Sequence, residues 1–129
     1  MAEQALQVAI DGPASAGKST VAKLVAKRFG YIYVDTGAMY RAVTYWAMTH
    51  QVALTDDQAV AAMMQSLTIS FKPGEPDQLV FANDEDITAA IRQPDVTNNV
   101  STIAALPTVR TILTEQQRQI AAAGGIVMD

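Results

Sequence analysis

Apolar residues at the start of the chain form two short runs separated by a helically spaced segment. Residues 6–10 and 31–34 are short and apolar, with β-branched or aromatic members, which predicts two buried strands. Between them lie four apolar residues at helical spacing: Val21, Leu24, Val25 and Phe29. Gly30 follows, where a helix commonly ends. Strand, helix and strand within ~30 residues predict a βαβ unit with parallel strands.

Two further helices are predicted from start signals and apolar stripes. The first opens at residues 35–37 (Asp-Thr-Gly). Its stripe comprises Met39, Ala42, Val43, Trp46 and Ala47. The second opens with a capping box over residues 55–58, in which Thr55 is the N-cap and Gln58 supplies an amide three residues later. We expect this helix to extend to about Ser66.

The pattern becomes strand-like after residue 66. Residues 67–72 alternate apolar and polar, residues 73–74 (Pro-Gly) indicate a turn, and residues 78–82 predict a second strand. Asn83 and Asp84 suit a tight turn before Ile87. A helical stretch is predicted near residues 96–105. We interpret residues 67–105 as a small antiparallel and helical insertion.

An α/β pattern resumes at residue 106. Pro107 suits the first position of a helix. Its apolar stripe comprises Val109, Ile112, Leu113 and Ile120. Gly124 and Gly125 end it, and residues 126–128 predict a third buried strand. The predicted fold class is therefore α/β, a doubly wound parallel sheet, with core parts at residues 1–66 and 106–129 around the insertion. Such folds seldom end on a newly started central strand, so we expect the chain to be truncated after Asp129.

Composition excludes several classes of protein. Half of the residues are hydrophobic and 17% are charged, which argues against disorder. Lys and Arg number 9 against 13 Asp and Glu, and the net charge of -4 disfavours a non-specific nucleic-acid binder. The chain has no Cys, so neither disulfides nor Cys-ligated zinc contribute. No window approaches the ~18 apolar residues of a membrane span, and we expect a cytoplasmic protein.

The strongest chemical signal lies between the first predicted strand and the first predicted helix. Residues 12–19 (Gly-Pro-Ala-Ser-Ala-Gly-Lys-Ser) match the P-loop pattern G-x-x-x-x-G-K-[ST] in full. Its glycines let backbone N–H groups surround a phosphate at a helix N-terminus. Lys18 would contact the β- and γ-phosphates of a nucleotide, and the Ser19 hydroxyl would be a magnesium ligand. The alternative is a chance glycine-rich turn, against which the order strand, loop, helix argues.

A second polar segment follows the second predicted strand. Residues 35–41 read Asp-Thr-Gly-Ala-Met-Tyr-Arg, at the carboxyl end of a strand, where open α/β sheets bind ligands. Arg41 lies one turn into the helix, and its guanidinium can bind a phosphate bidentately. The pattern alone leaves open a surface Arg beside a buried Tyr.

These segments together resemble the bacterial cytidylate kinases. The resemblance rests on residues 10–20, on residues 35–41, on Ser101 with residues 107–110 (Pro-Thr-Val-Arg), and on residues 126–129 (Ile-Val-Met-Asp). It covers the whole chain, in order and at compatible spacing. The Asp-Thr-Gly-Ala-Met-Tyr-Arg run is not general among nucleotide kinases, and the insertion resembles the monophosphate-binding region of this family.

The resemblance implies transfer of the γ-phosphoryl group of ATP to CMP or dCMP with magnesium. Arg41 and Arg110 would hold the CMP phosphate, as catalytic residues together with Lys18 and Asp35. The residues that would hold the ATP phosphates are Gly12, Pro13, Ala14, Ser15, Ala16, Gly17, Lys18, Ser19 and Thr20.

The resemblance also implies an acceptor pocket lined by Thr36, Tyr40 and Ser101, in which Ser101 contacts the cytosine edge. Asp35 would lie near the metal or the acceptor phosphate, and Asp129 would hold magnesium through water. The family continues past Asp129 with a Gly-Arg-Asp segment and an arginine-bearing lid. The 129-residue chain is therefore expected to be nearly inactive. The resemblance also implies a monomer.

Two other functions remain open at this point. One is a kinase for AMP, UMP or a small metabolite, since the pyrimidine preference comes from the resemblance alone. The other is a P-loop regulatory module with slow hydrolysis. Such a module would have a guanine-reading motif of the Asn-Lys-x-Asp type, which this sequence lacks.

Overall fold

The computed structural model describes residues 7–9, 24, 28, 32–72, 78–122, 124 and 126–128, and the description that follows concerns these residues. The strands are β1 (Gln7–Ala9), β2 (Ile32–Val34), β3 (Ile69–Lys72), β4 (Leu79–Ala82), β5 (Glu85–Asp86) and β6 (Ile126–Met128). The α-helices are α1 (Thr36–Thr49), α2 (Asp57–Met64), α3 (Pro94–Thr97), α4 (Val100–Ala104) and α5 (Pro107–Ala122). A 3-10 helix spans Ala90–Arg92.

A parallel sheet forms in the order β1-β6-β2. The central strand β6 pairs with both neighbours, so that Val127 lies opposite Val8 on one side and Tyr33 on the other. The three strands predicted from apolar runs are thus confirmed, and the last of them in sequence takes the middle position. Since all three run the same way, their carboxyl ends meet at one edge of the sheet.

The insertion contains an antiparallel sheet of order β3-β4-β5. Asn83 and Asp84 both have positive φ, 47° and 71°, which is the backbone of the two-residue hairpin turn that the sequence predicts. The Asn83 side chain ties this turn to the residues that precede β3, since its Oδ1 accepts from the Thr68 N–H at 2.8 Å and its Nδ2 donates to the Ser66 carbonyl at 2.9 Å. In β5, hydrogen bonds from the Thr88 hydroxyl and backbone N–H hold the pKa of Asp86 below its ordinary value. The predicted turn at residues 73–74 lies outside the described residues.

Two helix predictions need correction. The capping residue of α2 is Asp56, whose Oδ1 accepts from the Ala59 N–H at 3.1 Å, and the helix begins one residue later than the Thr55 capping box implies. A carboxylate and a hydroxyl are both good N-caps, so local chemistry alone does not choose between neighbouring positions. The helix also ends at Met64, before Ser66.

The predicted helical stretch at residues 96–105 is also interrupted. It consists of the end of α3 and the whole of α4, and these are separated by Asn98 and Asn99. The Asn99 side chain donates to the Asp95 carbonyl at 2.7 Å, and this local bond competes with continuation of the helix. Pro94 starts α3 at its first position, where its missing N–H costs no hydrogen bond.

One hydrophobic core joins α1, the insertion and α5. Its fully buried side chains of valine size or larger are Val34, Met39, Val43, Val60, Val80, Ile87, Ile91, Ile103, Val109 and Leu113. Trp46 is only partly buried, and the sequence pattern missed Thr44, which is fully buried and donates its hydroxyl to the Tyr40 carbonyl at 2.8 Å. None of the helices in the described part combines the length and apolar character that a bilayer crossing requires.

Candidate functional site

The residues predicted to hold ATP and magnesium, Gly12 to Thr20 and Asp129, lie outside the described residues. Parts of the segments that flank Gly12 to Thr20 are described on both sides. The strand β1 precedes the P-loop segment, and Leu24 and Arg28, which follow it, are helical. The predicted strand before the loop is therefore confirmed, and the backbone is helical at the two described residues after it, Leu24 and Arg28. These are the two elements that a P-loop requires.

Asp35 lies directly after β2 and caps α1. Its Oδ1 and its backbone carbonyl both accept from the Ala38 N–H, at 3.2 and 3.1 Å. A Cβ at Gly37 would lie 3.1 Å from the same Oδ1, so the glycine leaves room for this carboxylate. Within the structure Asp35 has a capping role, which orders the first turn of α1 at the carboxyl end of β2.

Arg41 reaches from α1 to the insertion. Its Nη1 donates to the Thr97 hydroxyl at 2.8 Å and to the Ile91 carbonyl at 3.2 Å. Both acceptors are neutral oxygens, so the bonds hold the guanidinium without neutralising it. Arg41 and its neighbour Tyr40 are both partly buried.

The other two residues of α1 that were predicted to line the acceptor pocket, Thr36 and Tyr40, lie near Arg41 in sequence. Thr36 is the first residue of α1 and Tyr40 packs against the core, each being partly buried. The helix α4, which bears Ser101, packs on α1, and the Ser101 side chain is exposed. The structure thus brings together the two segments from which the acceptor pocket was predicted.

Arg110 occupies a different setting, the first turn of α5. Its side chain is exposed beside an open groove of about 740 Å³. The groove is lined by Arg110 with Ala105, Pro107, Thr111, Thr114, Glu115 and Arg118. Among the described residues, those predicted on α1 do not contribute to this lining. That Arg41 and Arg110 hold the same phosphate stays a prediction.

Asp57 is a residue that the sequence analysis missed. Its carboxylate accepts from the Thr108 N–H at 3.1 and 3.3 Å and from the Val109 N–H at 3.3 Å. These are two of the N–H groups that lack an intrahelical partner at the start of α5. The first residue of α2 therefore caps a helix that begins 50 residues later, and it sets the position of the turn that bears Arg110.

Replacing Asp57 with alanine is expected to lower the free energy of unfolding by about 0.5–2 kcal/mol, because two N–H groups lose their acceptor. Urea unfolding followed by circular dichroism measures it. Asp57→Asn, which keeps one carbonyl oxygen, should fall between wild type and Asp57→Ala. Gln58→Ala, at the exposed neighbouring position of α2, should change the value by less than ~0.5 kcal/mol. An unchanged midpoint in Asp57→Ala would contradict the cap.

Metal-binding chemistry is limited in the described part of the chain. No group of three or more His, Asp or Glu side chains is placed there to hold a metal ion. The predicted ligands, the Ser19 hydroxyl and the Asp129 carboxylate, are of the hard oxygen type that magnesium prefers.

Comparison with known proteins decides the family. The cytidylate kinase family model matches residues 8–129. The chain belongs to the cytidylate kinase family. It is 86% identical over 129 residues to the cytidylate kinase of Lactiplantibacillus plantarum, covering 100% of this chain and 57% of that protein. It is 61% identical over 124 residues to the cytidylate kinase of Ligilactobacillus salivarius, covering 96% and 55%. The chain thus spans little more than half the length of these curated relatives.

Proposed function

We propose that the chain forms the acceptor-binding part of a kinase that transfers the γ-phosphoryl group of ATP to CMP and dCMP, giving CDP and dCDP. The observation that carries this proposal is Arg41, held by two neutral oxygens and still able to attract an anion. It lies one turn from the carboxyl end of β2, where open α/β sheets bind ligands. Membership of the cytidylate kinase family supports the choice of CMP.

The proposed fold is a doubly wound P-loop kinase core. Residues 1–66 and 106–129 belong to this core, and residues 67–105 form the monophosphate-binding insertion. The parallel order β1-β6-β2 supports the core assignment, and the antiparallel hairpin supports the insertion. We further infer a cytoplasmic monomer that acts on small molecules rather than on nucleic acids.

Each predicted site residue has a proposed task. The backbone of residues 12–20 and Lys18 bind the ATP phosphates, and Ser19 and Asp129 provide oxygen ligands for magnesium. When bound, ATP and magnesium supply the phosphoryl group and neutralise its charge. Arg41 and Arg110 position the CMP phosphate, an effect that dominates phosphoryl transfer since the protein does little covalent chemistry.

The remaining residues bind the acceptor nucleoside. Thr36 and Tyr40 line the pocket beside Arg41, and Ser101 contacts the cytosine edge from α4. Asp35, as the cap of α1, keeps the first turn of this helix in place, and its carboxylate lies near the acceptor phosphate or the metal.

Calorimetric titration with CMP, AMP and UMP tests this function. CMP is expected to bind about tenfold tighter than AMP and UMP, or better, which corresponds to roughly one well-placed hydrogen bond to the base. Equal affinities for the three monophosphates would contradict a cytosine-reading pocket within these residues. Tighter binding of AMP or UMP would favour the kinase for another monophosphate.

A P-loop regulatory module remains the second candidate. Its test is a titration with ATP and GTP alongside the monophosphates. Equal affinity for the two triphosphates and none for any monophosphate would favour this candidate over a kinase.

A further inference from the structure

The two described hydrogen bonds of Arg41 both come from one nitrogen of its guanidinium, Nη1. The group has five N–H donors on three nitrogens, and Nη1 carries two of them. Both described acceptors, the Thr97 hydroxyl and the Ile91 carbonyl, are bonded to Nη1. The Nε–H and the Nη2–H beside it form a different edge, which has the geometry for a bidentate phosphate contact.

The two acceptors belong to a well-anchored part of the insertion. Ile91 lies in the 3-10 helix and its side chain is 1% exposed. Thr97 ends α3, one residue after Val96, which is also 1% exposed. Within α3, the Thr97 N–H donates to the Gln93 carbonyl at 3.1 Å. The 3-10 helix and α3 both pack against α1, so their oxygens have a defined position relative to Arg41.

We propose that Thr97 is a positioning residue for the phosphate of the bound nucleoside monophosphate. Its hydroxyl, together with the Ile91 carbonyl, holds the guanidinium in one orientation, so that the Nε–Nη2 edge is preorganised for the phosphate. An arginine side chain that is free to rotate loses conformational entropy when it binds the phosphate, whereas a side chain that is already held does not. The inference rests on the proposed role of Arg41 in binding CMP.

The same contact makes the insertion part of the phosphate site. Thr97 lies 56 residues from Arg41 in sequence, and its side chain is exposed, so it contributes little to the core. The hydroxyl can therefore be removed without leaving a buried cavity. A change in ligand binding on its removal reports the orientation of Arg41 rather than a loss of folding.

Thr97→Val tests the proposal, because valine replaces the hydroxyl with a methyl group of similar size. Binding of CMP and of cytidine is measured by calorimetry on the same chain. Thr97→Val is expected to weaken CMP binding about tenfold, the effect of one hydrogen bond to a charged group, and to leave cytidine binding unchanged. Thr97→Ser, which restores the hydroxyl, should return the CMP dissociation constant to within about twofold of wild type.

A matched control separates positioning from a general effect of the substitution. Thr68→Val makes the same exchange at another exposed position of the insertion, and it should leave CMP binding unchanged. Urea unfolding of all variants shows whether each is folded. A Thr97→Val chain that loses CMP and cytidine binding equally would overturn the proposal in favour of a structural role.

The result for Arg41→Met distinguishes this inference from the proposed function. If Arg41→Met loses CMP binding and Thr97→Val does not, the positioning role of Thr97 is wrong while the proposed function stands. If neither variant changes CMP binding, Arg41 does not hold the phosphate and both proposals fail. Loss in both variants with rescue by Thr97→Ser supports both.

Discussion

CMP binding is expected to weaken about 100-fold or more when Arg41 is replaced with methionine. The proposed bidentate contact provides two charge-assisted hydrogen bonds, each worth about 1.5–3 kcal/mol, and every 1.4 kcal/mol corresponds to roughly tenfold in affinity. Methionine retains most of the side-chain stem, so the main change is loss of the guanidinium. Calorimetric titration of CMP into both chains measures the ratio of dissociation constants. Cytidine, which has no phosphate, should bind equally to both.

Two control variants refine this measurement. Lys72→Met removes a positive charge at an exposed position of the insertion, where the ammonium lies 4.8 Å from the Phe81 ring centroid. It should leave CMP binding nearly unchanged, which separates a specific contact from a change in net charge. Arg41→Lys keeps the positive charge but loses the planar guanidinium that can donate two parallel hydrogen bonds, so an intermediate affinity for CMP is expected. An Arg41→Met chain with wild-type CMP affinity would contradict the proposed phosphate contact.

Arg41 also links two parts of the chain, and its replacement should affect stability. Its bonds to Thr97 and to the Ile91 carbonyl join α1 to the insertion. Losing them is expected to reduce the free energy of unfolding by about 1–3 kcal/mol in total, since each such bond contributes roughly 0.5–1.5 kcal/mol net. CMP titrations are therefore interpreted beside urea unfolding of the same variant.

Local patterns predicted the elements that depend on neighbours in sequence. The strands β1, β2 and β6 were recognised because a buried parallel strand is a continuous apolar run. The hairpin at Asn83 and Asp84 was recognised because few residues adopt positive φ at two successive positions. Pro107 at the start of α5 follows from its missing N–H.

Contacts between distant segments were not predictable in this way. The carboxylate of Asp57 caps α5 across 51 residues, and Arg41 reaches Thr97 across 56. Neither spacing corresponds to the period of a helix or a strand, because tertiary packing brings the two residues of each pair together. In the candidate site, therefore, the sequence indicated Arg41 as a residue type suited to phosphate, and only the fold identified its partners.

The same limit explains the errors at helix ends. Asp56 and Asp57 follow Thr55, and each of the three residues is a plausible N-cap by residue type. In the structure Asp56 caps α2, while Asp57 faces α5. The choice of the first helical residue thus depends on where a second helix begins, which a local pattern does not contain.

The shared core links the stability of the insertion to that of the site. Ile91 and Ile103 come from the insertion, Met39 from the helix that bears Arg41, and Leu113 from the helix that bears Arg110, and all four belong to one buried cluster. Helices joined by a close-packed core do not shift independently at low cost. The arginines proposed to hold the CMP phosphate therefore depend on the same packing.

Leu113→Ala is expected to lower the free energy of unfolding by about 2–5 kcal/mol. Leu113 is 0% exposed on α5, so truncation removes buried methyl groups and leaves a cavity. A domain of this size has a total stability of about 5–15 kcal/mol, of which the loss is a large part. Urea unfolding measures the change in midpoint at constant slope.

Neighbouring and conservative substitutions define what the Leu113 result means. Thr114→Ala, at an exposed position next to it on α5, should change the free energy of unfolding by less than ~0.5 kcal/mol. Leu113→Met conserves volume and should cost less than about 1.5 kcal/mol. A loss below ~1 kcal/mol in Leu113→Ala would contradict a tightly packed contact between α5 and the core. At a temperature where Leu113→Ala is still folded, reduced CMP affinity would indicate that the core packing of α5 sets the position of Arg110.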